Sequence, residues 1–144
     1  EDVPPELVQS GRTRALRFGL AALAVGGWQP LAPWGARLSL GAEVLVTFRV
    51  RRFDLSASLV VSPNPGARLA ASFALLAERH RLGVGLRATA FPGAGVFGGG
   101  PFVGYELGLG DFFGLTATVA SEFYGGRGEV LMSVLVGLGV VGRY

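Results

Sequence analysis

A length of 144 residues bounds the chain to one domain. Half of it is apolar and only 16% is charged, against about a quarter in soluble domains, yet no apolar run reaches the ~18 uncharged residues of a membrane-spanning helix. The absence of cysteine and a single histidine exclude disulfides and thiolate metal sites, and 24 glycines argue against a helical bundle.

The first element, residues 1–11 (EDVPPELVQSG), carries a Pro-Pro pair and reads as an extended tether. The start at Glu1 without an apolar leader is the pattern of a mature exported chain. From residue 12 onward the apolarity alternates with period two, the signature of strands. Strand one sets Leu16, Phe18, Leu20 and Ala22 against Arg17, Gly19 and Ala21. Strand two is the clearest: Leu38, Leu40, Ala42, Val44, Val46, Phe48 and Val50 alternate with Ser39, Gly41, Glu43, Leu45, Thr47, Arg49 and Arg51, in a pattern that begins at Ala36 and Arg37.

Strand three puts Phe53, Leu55, Ala57, Leu59 and Val61 opposite Asp54, Ser56 and Ser58. Strand four puts Leu69, Ala71, Phe73 and Leu75 opposite Arg68, Ala70, Ser72 and Ala74. Strand five puts Leu82, Val84, Leu86 and Ala88 opposite Arg81, Gly83, Gly85, Arg87 and Thr89. Strand six has Val103, Tyr105, Leu107 and Leu109 against Gly104, Glu106 and Gly108, and strand seven has Phe113, Leu115, Ala117 and Val119 against Gly114, Thr116, Thr118 and Glu122. The last strand sets Val134, Val136, Leu138 and Val140 against Ser133, Gly137, Gly139 and Arg143, and closes on Tyr144.

The connections alternate as well. Gly/Pro-rich links are predicted at 27–35, 62–67, 91–101 and 125–128, and tight turns at 51–53, 78–80 and 110–112. An even number of strands, with short turns at one end and longer loops at the other, predicts an all-β fold: an eight-stranded antiparallel up-and-down transmembrane β-barrel over residues 12–144. The bulky face is too apolar to meet water, and the small face (Gly, Ala, Ser, Thr and a few charges) suits the narrow interior of eight strands. Aromatic residues gather at both ends: Trp28, Trp34, Phe91, Phe97, Phe102, Phe123 and Tyr124 near the loops, and Phe18, Phe48, Phe53, Phe112, Phe113 and Tyr144 near the turns. Two such belts belong at the two surfaces of a bilayer.

This pattern is similar to the small eight-stranded bacterial outer-membrane proteins of the OmpA/OmpX class, over the whole chain from Arg12 onward. The resemblance is one of architecture and rests on no family-specific motif. It implies a Gram-negative outer-membrane location, with the short turns, both termini and the segment 1–11 in the periplasm. The alternating Val136, Leu138 and Val140 before Tyr144 resemble the C-terminal signal read by the barrel assembly machinery. The interior charges, Arg17, Arg37, Glu43, Arg87, Glu106 and Glu122, can persist there only when paired, and the resemblance implies that they form a salt-bridge network that fills the lumen.

Arg12, Arg14, Arg49, Arg51, Arg52, Arg79, Arg81 and Arg143 fall near the turn end and are expected to form a basic rim facing lipid head groups or an acidic partner. Arg81 and Arg143 also fall on the interior face. No catalytic, cofactor or metal site is expected. The one histidine, His80, sits beside Glu78 in a predicted turn, a weak basis for hydrolysis. The string from Gly93 to Gly100 lacks the Lys-Ser/Thr of a phosphate loop. Nucleic acid is excluded as a partner because the arginines ring an edge without interleaved stacking aromatics. The expected function is that of a non-enzymatic structural or anchoring subunit of a cell-envelope assembly, contacting outer-membrane lipids and envelope proteins. The alternatives are a narrow pore or conduit for small solutes or lipids and, behind it, a lipid-modifying surface enzyme.

Overall fold

The computed structural model describes residues 16–28, 38–61, 65–125 and 130–143. Among them are eight strands: β1 (Leu16–Trp28), β2 (Leu38–Val50), β3 (Phe53–Val60), β4 (Gly66–Ala77), β5 (His80–Phe91), β6 (Val96–Gly108), β7 (Phe113–Gly125) and β8 (Leu131–Arg143). Each pairs antiparallel with its sequence neighbour, and β8 closes on β1, from Gly19 opposite Arg143 to Trp28 opposite Val134. Closure leaves the described sheet without a free edge strand, which is what permits strands to cross a bilayer. The segment 1–11 with Arg12 and Arg14, and likewise Trp34, Arg37 and Tyr144, lie outside the described residues.

The two faces of each strand divide as the alternation predicts. Outward side chains are bulky and exposed: Leu40, Leu55, Leu59, Leu69, Leu86 and Leu138 each show more than half of their surface. So large an apolar exterior is foreign to a water-soluble monomer. Inward side chains are small, or charged and buried. The apolar part of the interior is a cluster of Ala21, Leu23 and Val141, with Val25 and Leu45 packed against it on the β1, β2 and β8 wall.

Three details depart from the sequence reading. The predicted link at 91–101 is mostly strand: only a 3-10 turn, Pro92–Ala94, and Gly95 separate β5 from β6. Gly95 ends that turn in the left-handed region (φ 67°), donating its N–H to the Pro92 carbonyl at 3.2 Å. The run Gly98-Gly99-Gly100 serves close approach rather than flexibility, because a Cβ at any of the three would collide with a carbonyl oxygen of a neighbouring strand. Second, Phe91, Phe102 and Tyr124 do not belong to the outer aromatic belt. By strand parity they turn inward, and Phe91 and Tyr124 meet edge to face at 5.8 Å near the loop end. Third, β4 carries a bulge between Ala74 and Leu76, so that Leu75 and Leu76 are both exposed in succession.

Candidate functional site

The interior charges separate into two clusters, one toward the loop end and one toward the turn end. Toward the loop end, Glu43 of β2 accepts hydrogen bonds from Ser58 Oγ and Arg68 Nη1, each at 2.5 Å. Arg68 reaches from β4 to Thr89 Oγ1 at 2.9 Å and lies 3.3 Å from Glu122 Oε1. Glu122 of β7 is fully buried. It accepts from Thr89 Oγ1 at 2.9 Å and from the Tyr124 hydroxyl. Arg87 Nε stands 2.5 Å from Glu122 Oε1, but the N–H is not aligned for a hydrogen bond, so the attraction there is Coulombic. Two carboxylates and two guanidiniums thus link four strands, β2, β4, β5 and β7.

At the turn end, Arg49 grips Asp54 with a two-pronged contact, Nε to Oδ1 at 2.9 Å and Nη2 to Oδ2 at 3.1 Å. The same guanidinium reaches Glu106 Oε2 at 3.0 Å. Arg81 donates to Asp54 from the other side at 2.8 and 3.2 Å, and Arg143 pairs with Glu106. Arg17, level with Arg49 in the β1–β2 register, also faces inward by strand parity. Planar forks meeting carboxylates in this way give direction as well as charge neutralisation.

The sequence expectation is thereby redrawn. Glu43, Arg87, Glu106 and Glu122 lie in the lumen, divided between the two clusters, while Arg37 lies outside the described residues. Arg49, expected on the rim, points inward instead, and Arg81 and Arg143, expected at the rim but also on the interior face, lie inside, because each occupies an interior-parity position within reach of Asp54 or Glu106. Arg51, Arg52 and Arg79 remain exposed at the turn end. The residues missed were Asp54, Ser58, Arg68 and Thr89. All four sit on the face already recognised as interior, so parity was the signal that could have found them.

His80 is not in a turn. It opens β5 on the outer face, where Nδ1 lies 2.5 Å from the Tyr105 hydroxyl. A phenol is not the serine or carboxylate partner that histidine-based hydrolysis needs. No cluster of three or more metal-ligating side chains occurs among the described residues.

The sequence matches no family model and no curated protein. The fold does have relatives among solved structures. The structure of Neisserial surface protein A (NspA) superposes with a TM-score of 0.68 at 10% identity, covering 90% of this chain and 97% of that one. This is the fold of the small eight-stranded outer-membrane barrels. The N-terminal β-barrel domain of Pseudomonas aeruginosa OprF is also similar, with a TM-score of 0.51 at 11% identity, covering 88% of this chain and 97% of that chain. At such identities the likeness concerns the barrel itself. The interior network therefore has to be read from this chain's own residues.

Proposed function

We propose that the chain is a non-enzymatic barrel of the bacterial outer membrane, with turns and termini in the periplasm, that serves as a structural or anchoring subunit of a larger cell-envelope assembly. The observation that carries this reading is the filled lumen. A charge cluster toward each end, and apolar side chains on the β1, β2 and β8 wall, occupy the interior, as eight strands require. A buried ion pair is costly to break from one side, so the interior favours rigidity over transport.

The short connections support the same reading, since the link between β5 and β6 is only four residues, Pro92 to Gly95. The exposed Arg51, Arg52 and Arg79 offer a cationic face for acidic groups in the periplasm. Val136, Leu138 and Val140 point outward on β8, and with Tyr144 they would be read by the barrel assembly machinery. Planar-bilayer recording of the purified monomer, paired with crosslinking in native membranes, tests the proposal. The expected result is a silent bilayer and a recovered envelope partner. Reproducible unitary current steps would overturn the filled-lumen reading in favour of a pore.

A further inference from the structure

We infer that the outer wall over β3, β4 and β5 carries a site for one phospholipid, with its phosphate on Arg52 and an acyl chain in an apolar depression above it; this rests on the barrel being embedded in a membrane. The depression is about 520 Å³. Its floor is Ala57, Ala71 and Ala88, and its walls are Leu55, Leu69 and Leu86. The register explains the hollow. Ala71 sits directly between Leu55 and Leu86, and Leu69 between Ala57 and Ala88, so large and small side chains alternate across three strands. Such relief is deeper than a wall of uniform leucines would give, and its lining is almost entirely hydrocarbon.

The end of this hollow nearest the turns is furnished differently. The bulge in β4 displaces Leu75 from the β5 ladder, and Arg52 Nη1 covers the carbonyls of Ala74 and Leu75 at 3.1 Å each. A guanidinium has five N–H donors, of which Nη1 supplies two. The group is therefore held in place while keeping donors and its charge for a phosphate, which it suits as a fork. Between the cation and the hollow lies the edge-to-face pair Phe53–Phe73, with centroids 5.2 Å apart. Both rings are exposed and offer a flat track for a chain.

The spacing fits an amphiphile. Ala71 and Leu75 are four residues apart, about 13 Å along a strand at ~3.3 Å per residue. That lies within one leaflet, half of the ~30 Å hydrocarbon core. A fixed cation at the head-group level and a hollow one leaflet deep together select a molecule that is anionic at one end and apolar along its length.

The test uses the full chain refolded in nonionic detergent and examined by native mass spectrometry against phosphatidylglycerol, diacylglycerol and inorganic phosphate. One phosphatidylglycerol should stay bound, diacylglycerol should bind at least tenfold more weakly, and millimolar phosphate should not displace the lipid. Arg52→Ala and Ala71→Leu should each weaken retention about tenfold, whereas Arg52→Lys should retain most of it. Ala71→Leu fills the hollow from outside and leaves the lumen intact. Equal binding by wild type and both weakening variants would overturn the inference, as would displacement by phosphate alone. Failure to form a compact, heat-modifiable barrel in detergent would instead bring down the membrane reading on which the inference rests.

Discussion

Glu122 is the point where the upper cluster converges: fully buried, it faces two arginines from different strands and accepts hydrogen bonds from Thr89 and Tyr124. Removing its charge while keeping its shape would leave Arg87 without its contacting counter-ion, and both Arg87 and Arg68 dependent on Glu43. Glu122→Gln should therefore destabilise the barrel by about 3–5 kcal/mol, the range for stripping one partner from a buried pair. A lowered urea midpoint in micelles is the readout. Adding Arg87→Met should recover part of that loss, because the orphaned charge goes with it. Unfolding of the single variant at the wild-type urea concentration would show that the carboxylate is not the hub. At this scale the sequence disclosed parity but not partners. Arg68 alternates onto the inner face as plainly as Arg87 does, yet its contact with Glu43 spans 25 residues of sequence and depends on how β2 and β4 are staggered around the barrel. Arg49 shows the converse. Its closeness to a turn pointed to the rim, and only its inward position and long side chain bring it to Asp54 and Glu106.

At the level of elements, seven of the strands follow the period-two rule almost to their ends, and β6 is where composition misled. Glycine disfavours strands for entropic reasons, so a triple-glycine segment reads as a loop. In the barrel the same residues allow β5, β6 and β7 to approach where any Cβ would strike a carbonyl. This has a measurable consequence, because the two explanations assign opposite behaviour to neighbouring glycines. Gly99→Ala would place a Cβ against the Arg87 carbonyl, whereas a Cβ at Gly93, in the adjoining turn, meets nothing within 4 Å. Refolding yield and urea midpoint should fall for Gly99→Ala, by at least the roughly 1–3 kcal/mol typical of overpacking, and hold for Gly93→Ala. Equal tolerance at both sites would return the segment to the status of a flexible link. The β4 bulge was illegible for a different reason. Nothing in the order Ala74-Leu75-Leu76 announces an extra residue, and it arises from pairing with β5.

For the whole molecule, closure and exterior chemistry bear on each other. A barrel whose first and last strands pair has satisfied its backbone internally, which removes one obstacle to the bilayer, and its outward leucines, valines and phenylalanines remove the other. The outside of the barrel was the most legible part of the sequence because it demands only apolarity at alternate positions, a one-dimensional pattern. The lumen was less so, since its pairings depend on shear and register around a closed cylinder. The exterior can be interrogated by a single charge. Leu138 lies near the middle of β8, opposite Ala24 and Ala117, and is 62% exposed. If lipid covers that wall, Leu138→Arg places a guanidinium near the bilayer midplane and costs about 2–4 kcal/mol. In water the same change on an exposed side chain would move stability by no more than about 0.5 kcal/mol, the effect expected of Asp111→Arg in the exposed turn between β6 and β7. Urea unfolding in liposomes, followed by the gel shift between heated and unheated samples, measures both variants on one scale. A large loss confined to Leu138→Arg is the expected outcome, and matching midpoints for the two would mean that this wall does not face hydrocarbon.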